Sequence, residues 1–156
     1  MSLKNKDELY NLRNATLEDA QLLFGWVNDP KVREMSINSN MIYWQGHLNW
    51  LIKKLESQTC KIFILEQNDI PVGQIRFEYF NEEWGIDYSI GKQYRGQGLG
   101  QVILELSIPF FCNYIIRAIV KQDNLPSNKI FKNLGFTLKG DEKINGISCF
   151  IYIMRV

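Results

Sequence analysis

A glycine-rich segment, Arg95-Gly96-Gln97-Gly98-Leu99-Gly100, is the part of the sequence whose residue types and spacing most clearly indicate chemistry. It lies between a predicted strand that ends at Ile90 and a predicted helix. Main-chain N–H groups at such a turn converge on an anion, and glycine lets the backbone approach phosphate groups closely. Arg95 adds a permanent positive charge. The segment is therefore predicted to bind phosphate.

Two common nucleotide-binding motifs also use glycine-rich turns, and the spacing here argues against both. Gly91 and Gly96 have the separation of a P-loop, but Gln97-Gly98 stands where Lys-Ser/Thr should bind the terminal phosphates and magnesium. The dinucleotide fingerprint G-x-G-x-x-G is absent, because the glycines at 96, 98 and 100 are each two apart. Hydrolysis of a nucleoside triphosphate is therefore disfavoured, and a glycine-rich turn without a ligand remains the plain alternative.

Hydrophobic periodicity around this segment predicts one α/β (α+β) domain. The predicted elements are, in order, a strand at 9–15, a helix at 16–28, an irregular or short helical connection at 31–42, a helix at 43–57, strands at 60–66, 70–80 and 83–90, a helix after the glycine-rich segment, a strand at 114–120, a helix at 127–134, and strands at 136–141 and 147–155. Asn145-Gly146 is a strong hairpin signal between the last two strands.

Three of these elements carry patterns that predict which side chains are buried or exposed. In the strand at 83–90, Asp87 and Ser89 point away from the apolar face and form a polar face that is free for chemistry. In the helix at 43–57 the predicted buried residues are Leu48, Leu51, Ile52 and Leu55. In the helix after the glycine-rich segment they are Leu99, Ile103, Leu106 and Phe110, with Pro109 ending or kinking the helix.

The composition limits the classes of function. The 156 residues suffice for one domain, and no stretch resembles a membrane span or a secretory signal, so we expect a cytoplasmic protein with flexible residues 1–8. Eighteen basic and seventeen acidic residues leave a net charge of +1, which gives no general field for nucleic acid. The final strand is expected to be an exposed edge that a second copy could pair with.

The cysteines indicate neither a disulfide framework nor a metal site. Cys60, Cys112 and Cys149 are odd in number and far apart, and His47 is the single histidine. We expect all three to be reduced core thiols, because free cysteine is among the most buried residue types.

The glycine-rich segment resembles the pyrophosphate-binding signature Q/R-x-x-G-x-G/A of the GCN5-related N-acetyltransferase (GNAT) superfamily at every defined position. The predicted element order is similar to that of the family from residue 12 to residue 156. The resemblance implies a mixed, mostly antiparallel sheet of about seven strands, parted between strands 4 and 5, with about four helices. It also implies that residues 95–100 bind the pyrophosphate of acetyl-CoA, and that the main chain of Tyr88 and Ile90 contacts pantetheine.

A second segment, Asn124-x-x-Ser127-x-x-x-Phe131, resembles the other cofactor motif of the family. The resemblance implies that the Asn124 side chain contacts pantetheine and that Lys132 could reach a phosphate of CoA, although a solvated lysine is the simple alternative. Phe131 stands where the family usually has a tyrosine that protonates the CoA thiolate. A phenyl ring donates no proton, so water or another hydroxyl must serve, or the thiolate leaves unassisted.

The reaction of the family is direct attack of a neutral primary amine on the acetyl thioester in a ternary complex. It requires a proton acceptor and a donor to the developing oxyanion. Asp87, and Glu78 on the neighbouring strand, are the candidate bases, with surface charges as the alternative reading. The oxyanion donor is expected to be a main-chain N–H near Ser89 or Tyr88. No metal is required.

The region around the first two helices resembles a branch of the superfamily that acetylates nucleotide-linked 4-amino sugars in pseudaminic and legionaminic acid biosynthesis. The residues that carry this resemblance, and that we expect to contact the acceptor, are Trp26, Asn28, Arg33 and His47. Core positions for the tryptophan and a structural role for the histidine are the alternatives. The same Asn-Asp-Pro element occurs in acetyltransferases of ribosomal-protein N-termini, and a non-catalytic acetyl-CoA-binding module is the third hypothesis.

Overall fold

Seven strands form one sheet in a computed structural model of the chain, which describes residues 9–156. The expectation of flexibility for residues 1–8 lies outside the described part. The strand order is β1-β2-β3-β4-β5-β7-β6. The strands are β1 (Tyr10–Asn14), β2 (Cys60–Gln67), β3 (Ile70–Phe80), β4 (Glu83–Ile90), β5 (Ile115–Lys121), β6 (Thr137–Ile144) and β7 (Ile147–Arg155).

Five α-helices are described within residues 9–156, and four of them pack on the two faces of this sheet. They are α1 (Ala20–Val27), α2 (Pro30–Met35), α3 (Trp44–Glu56), α4 (Leu99–Ser107) and α5 (Leu125–Asn133). Helices α1 and α3 lie with the smaller apolar cluster on the side of Ile62 and Ile64, while α4 and α5 pack on the larger core around Phe77 and Ile116. Within residues 9–156, no helix has the length and apolar character needed to cross a membrane.

The sheet is antiparallel except between β4 and β5. These two strands run parallel and are in register only over Glu83–Gly85 and Ile115–Arg117. Beyond that point β4 continues along β3 as far as Ile90, while β5 continues along β7 as far as Lys121. Each strand follows its own antiparallel partner, so a gap opens between them. The expected parting of the sheet at strands 4 and 5 is confirmed.

Turn chemistry explains two of the hairpins. Asn145 and Gly146 have φ values of +51° and +79°, and Asn81 and Glu82 have +49° and +63°. Two consecutive positive φ angles match the turn that fits the twist of adjacent antiparallel strands. The hairpin predicted at Asn145-Gly146 is confirmed.

Helix α2 brings the number of α-helices in the described part of the chain to five, where about four were expected. The sequence pattern treated Pro30 as the end of the preceding helix. In the structure Pro30 is also the first residue of the next helix, a position where its missing N–H is not needed. The Asp29 carboxylate caps that helix by accepting hydrogen bonds from Lys31 N at 3.0 Å and Val32 N at 3.4 Å.

Several burial predictions are wrong. Helix α4 ends at Ser107 and a 3-10 turn over Ile108–Phe111 follows, so Phe110 turns outward and is 66% exposed. Leu104 is fully buried instead. Ile52 lies on the outer side of α3 and is exposed as well.

Two further expectations are corrected. Cys60 and Cys149 are buried thiols as predicted, but Cys112 is exposed, because it follows the 3-10 turn at the end of the helical segment. The final strand β7 is not an edge, because it lies between β5 and β6. The edge strand beside β7 is β6, which carries charged side chains of the kind that discourage pairing with another sheet.

Helices α4 and α5 pack closely because Gly100 has no side chain. A Cβ there would lie 2.9 Å from Ile130 Cδ1 and 3.3 Å from Tyr88 Cε2. We expect Gly100→Ala to lower the free energy of unfolding by about 1–3 kcal/mol through overpacking. Gly46→Ala in α3 is the control, because a Cβ there meets no atom within 4 Å, and it should stabilise by about 0.5–1 kcal/mol. Equal effects in chemical denaturation would contradict this packing.

Candidate active site

The loop that leads from β4 to α4 has an open, donor-rich backbone. Gly96 and Gly98 both have φ of +77°, and a Cβ built on either meets no atom within 4 Å. Val102 N donates to Gly98 O at 3.3 Å, so the N–H groups of Leu99, Gly100 and Gln101 precede the hydrogen-bond ladder of the helix. The loop therefore presents free main-chain donors at the positive end of the α4 dipole.

The residues of the predicted phosphate-binding segment differ in exposure and packing. Gly96, Gln97 and Gly98 are exposed at the turn. Leu99 is 2% exposed and belongs to the core, and Gly100 allows close packing of α4 on Tyr88. The motif therefore combines a ligand-facing turn with two positions that fix the helix behind it.

Arg95 connects this loop to neighbouring elements. Its Nε donates to Ile90 O at 3.1 Å, and its Nη2 donates to Asp29 Oδ1 at 2.8 Å. The guanidinium is about one third exposed. Arg95 is therefore positioned at the mouth of the loop as expected, but two of its donor groups already hold the surrounding structure.

Main-chain groups of β4 point into the gap at alternate residues. Gly91 N donates to Val72 O at 2.8 Å, which makes this pair a hydrogen-bonded one. In an antiparallel ladder the next pair does not exchange hydrogen bonds, so the N–H and C=O groups of Ile90 and Tyr88 face away from β3. They face the side from which β5 has departed, whereas those of Ser89 face β3.

A pair of hydroxyl groups lies between β4 and α5. Tyr88 Oη is 2.8 Å from Ser127 Oγ, and the tyrosine ring packs edge-to-face on Phe131, with centroids 6.1 Å apart. Burial raises the pKa of Tyr88 above its ordinary value of 10.0, although the hydrogen bond with Ser127 acts in the opposite direction. The Tyr88 hydroxyl is therefore protonated at neutral pH.

The second motif forms the start of α5. Asn124 caps the helix, with its side-chain oxygen accepting from Ser127 N at 3.4 Å, and no residue in 9–156 accepts a hydrogen bond from its amide nitrogen. Phe131 is 1% exposed and stacks on Tyr152 at 5.7 Å. Lys132 is exposed on the outside of α5. Phe131 therefore packs in the core, and the source of the proton for the thiolate stays a prediction.

The opposite face of β4 carries a network of charges. Arg76 on β3 contacts Glu78 Oε1 at 2.8 Å and Asp87 Oδ2 at 3.5 Å. Lys54 from α3 contacts Glu78 Oε2 at 3.1 Å. Asp87 is the freer carboxylate, because its side chain is 57% exposed against 39% for Glu78. The Ser89 hydroxyl lies on the same face and accepts a hydrogen bond from Gln74 Nε2 at 3.2 Å.

Two of the residues predicted to contact the acceptor, Asn28 and Arg33, form hydrogen bonds that fix the loop after α2. The side-chain amide of Asn28 donates to Ile42 O at 2.7 Å and accepts from Ile42 N at 2.9 Å. Arg33 donates from Nε to Val27 O at 2.7 Å, and its terminal nitrogens bind Asn38 O, Asn40 O and Ser36 Oγ. Both side chains therefore fix the connection between α2 and α3, and their acceptor role remains a prediction.

The other two predicted acceptor contacts lie near the apolar cluster below α1 and α3. Trp26 is close to the end of β4, since a Cβ on Gly91 would lie 3.0 Å from its Nε1. His47 is 4% exposed among aromatic rings, and its Nε2 is 3.2 Å from Ala20 O. A structural role for His47 explains this placement, while the acceptor contact of Trp26 remains a prediction.

Sequence reasoning missed three side chains that the structure brings to the site. Arg76 joins the two candidate bases, and strand alternation would have placed it on the face of Glu78, two residues away. Asp29 pairs with Arg95, and Lys121 reaches the main chain of α2. No sequence signal indicates these last two contacts, because they join segments 66 and 87 residues apart.

Comparison with known proteins agrees with this geometry. A family model described as acetyltransferase (GNAT) domain matches residues 10–137. A Bacillus licheniformis protein named uncharacterized N-acetyltransferase p20 is 27% identical over 150 residues, which cover 85% of this chain and 82% of the relative. The chain belongs to the GNAT family and is an N-acetyltransferase.

Solved structures share the fold. The RimL ribosomal L7/L12 α-N-protein acetyltransferase in complex with coenzyme A has a TM-score of 0.83 at 17% identity, with 95% of this chain and 94% of that one covered. The spermidine N-acetyltransferase of Vibrio cholerae in complex with CoA and spermine has a TM-score of 0.85 at 14% identity, with 94% and 95% covered. At these identities the likeness concerns the fold alone, and it confirms the predicted fold class.

The burial of His47 gives a pH-dependent stability. Burial lowers its pKa below the ordinary 6.5, while the contact with Ala20 O acts the other way. The unfolded chain therefore binds this proton more tightly, and the stability that His47 contributes is present above about pH 6.5 and is lost as the pH falls toward the folded pKa. Between about pH 7 and pH 5 the free energy of unfolding should fall more steeply for the natural protein than for His47→Gln.

Urea denaturation across that range measures the difference. Parallel slopes for the two proteins would contradict the buried neutral imidazole. A large change of acceptor KM in His47→Gln, without a change in stability, would instead support the acceptor contact.

Proposed function

We propose that the chain transfers the acetyl group of acetyl-CoA to a primary amine by direct attack in a ternary complex. The observation that carries this proposal is the donor-rich turn at Gly96–Gly98, placed at the end of a strand that has parted from its neighbour. The turn fits a diphosphate, because its N–H groups precede the helix ladder and no side chain fills the space above it. The gap beside Tyr88 and Ile90 fits an extended amide chain.

The site supports a division of labour between the two faces of the gap. The Tyr88 N–H faces the gap and is the favoured donor to the developing oxyanion, since the main chain of Ser89 is paired with β3. The amine approaches from the face that carries Asp87, which accepts its proton directly or through water. Glu78 is the weaker candidate base, because Arg76 and Lys54 both hold its carboxylate.

Matched substitutions separate the two candidate bases. We expect Asp87→Asn to reduce kcat by about 10²-fold or more, the usual range for loss of a general base, while CoA affinity measured by calorimetry stays within about twofold of the natural protein. Glu78→Gln should reduce kcat much less. Unchanged rates in both variants would reject both carboxylates as the base.

The Tyr88 hydroxyl is the proton donor that the geometry offers in place of the usual tyrosine. It is protonated at neutral pH and is hydrogen-bonded to Ser127 on α5, the helix that carries Phe131. We expect Tyr88→Phe to lower kcat by about 10- to 100-fold, and Ser127→Ala to have a smaller effect. Tyr152→Phe is the control, since it also removes a buried hydroxyl, one that donates to Asn128 Oδ1 at 2.7 Å.

An equal loss of kcat in Tyr88→Phe and Tyr152→Phe, accompanied by equal destabilisation, would reduce the Tyr88 hydroxyl to a packing role. A loss confined to Tyr88→Phe, with an altered alkaline limb of the rate profile, supports a proton donor.

Two acceptor classes follow from different observations. The resemblance of the region around Trp26 and Arg33 suggests the amine of a nucleotide-linked amino sugar, but the Arg33 guanidinium is committed to the main chain. The likeness to the ribosomal-protein acetyltransferase suggests a protein N-terminus. The exposed side chains Met41, Tyr43 and Trp44, displayed at the start of α3, could contact either a sugar ring or a peptide side chain.

A thiol-release assay over UDP-linked 4-amino sugars, N-terminal peptides, polyamines and aminoglycosides decides the acceptor. Calorimetry with CoA tests the binding step separately, using Gly98→Ala, whose side chain is strained at a φ of +77°. We expect at least a tenfold loss of CoA affinity in this variant and none in Gly46→Ala. CoA binding without turnover of any amine would favour a non-catalytic module, and no affinity for CoA would overturn the proposed function.

A further inference from the structure

Helix α2 is attached at both ends to the strands that border the gap. At its N-terminus Asp29 Oδ1 accepts from Arg95 Nη2 at 2.8 Å, and Arg95 Nε donates to the carbonyl of Ile90, the last residue of β4. At its C-terminal end the main-chain oxygen of Glu34 accepts from Nζ of Lys121, the last residue of β5, at 2.7 Å. The helix therefore joins the ends of the two strands that separate.

The length of α2 suits a connection across the gap. Its six residues span about 9 Å at a rise of 1.5 Å per residue. Paired strands are about 4.8 Å apart, so the helix reaches further than the distance between neighbours in an intact sheet. Such a segment matches two strand ends that have moved apart.

Charge holds the N-terminal attachment. The Asp29 side chain is 14% exposed. Burial acts to raise its pKa, but Arg95 and the N–H groups of Val32 and Lys31 outweigh this effect, and the pKa lies below the ordinary 3.8. Asp29 is therefore ionised at neutral pH and forms a partly buried ion pair, which is stronger than an exposed one.

The helix also lies near the polar face where the amine is expected to react. The charge of Asp87 on β4 reaches Arg33 on α2 and favours its protonated form, against the effect of burial, which lowers the pKa of Arg33. Arg33 in turn holds the loop that follows α2. Helix α2 therefore lies within electrostatic reach of the polar face of β4.

We propose that α2 is a strap that closes the acceptor side of the gap, and that Asp29 and Lys121 are the positioning residues that hold it there. The inference rests on the proposed function. Arg95 supplies the link to the cosubstrate: Nε and Nη2 are engaged, and no residue in 9–156 accepts a hydrogen bond from Nη1. One guanidinium can thus bind a phosphate oxygen and Asp29 together, so that CoA binding steadies the strap. Linkage requires the reverse effect to be equal.

Two substitutions release the strap at opposite ends. Asp29→Asn removes the charge but keeps a side chain that is an equally good helix cap. Lys121→Met removes the ammonium group and keeps the apolar stem. Lys31→Met is the control, because Lys31 lies on the same helix and, within residues 9–156, its ammonium group contacts only the exposed Glu34 carboxylate, at 3.5 Å.

Hydrogen exchange of residues 30–40 is the first measurement, with and without CoA. In the natural protein we expect CoA to slow exchange of this segment by about tenfold or more. Asp29→Asn and Lys121→Met should speed its exchange in the free protein and reduce the effect of CoA, while Lys31→Met should behave like the natural protein. Thermal melting checks that each variant is folded. If Asp29→Asn does not fold, the exchange of Lys121→Met alone tests the strap.

Steady-state kinetics with the best amine of the panel is the second measurement. We expect Lys121→Met to raise the acceptor KM by about fivefold or more, with the KM of acetyl-CoA changed by less than about twofold. Asp29→Asn should raise both, because it also loosens Arg95. A merely structural role would lower stability without this division between the two constants.

The outcomes separate the inference from the proposed function. In one outcome the natural protein binds CoA while all three variants match it in hydrogen exchange of residues 30–40 and in acceptor KM. That result would overturn the strap proposal and leave the proposed acetyltransferase function in place. If calorimetry detects no CoA binding, both are overturned. Faster strap exchange with a selective rise of acceptor KM supports the inference.

Discussion

The parting of β4 from β5 is the constraint on which the rest of the site depends. Two parallel strands in mid-sheet would normally satisfy each other's main-chain groups. Here three registered residue pairs hold them at one end, and the antiparallel partners β3 and β7 draw them apart at the other. Main-chain donors and acceptors of β4 are left facing a gap, and an extended ligand with amide groups is the natural way to pair them.

The groups that border this gap lie at the ends of helices and strands. The turn before α4 supplies N–H groups at one mouth, and the start of α5 supplies Asn124 and Ser127 on the same face of the sheet. On the other face, α2 connects the ends of the two strands through Asp29 and Lys121. In the proposed arrangement, phosphate recognition therefore lies on one side of the sheet and control of the acceptor on the other.

The network around Arg76 shows how charge is managed on the acceptor face. Its guanidinium lies 5.0 Å from the Trp50 ring centre and contacts both candidate bases. The two carboxylates therefore share one guanidinium, and Lys54 is a further partner of Glu78. Asp87 is the less constrained of the two carboxylates, with a side chain that is 57% exposed. Buried or shared charges of this kind are paired because an isolated one would be costly to desolvate.

Local sequence determined most of the elements and the glycine-rich turn, because strand alternation, helix spacing and glycine at positive φ act over a few residues. It could not determine what joins distant segments: the Asp29–Arg95 pair, the reach of Lys121 to α2, or the contact of Tyr88 with Ser127. The family resemblance marked Asn28 and Arg33 as acceptor contacts, yet their polar groups bind main-chain groups of neighbouring segments. Side-chain partners are chosen by tertiary packing, which brings together groups that no local pattern relates.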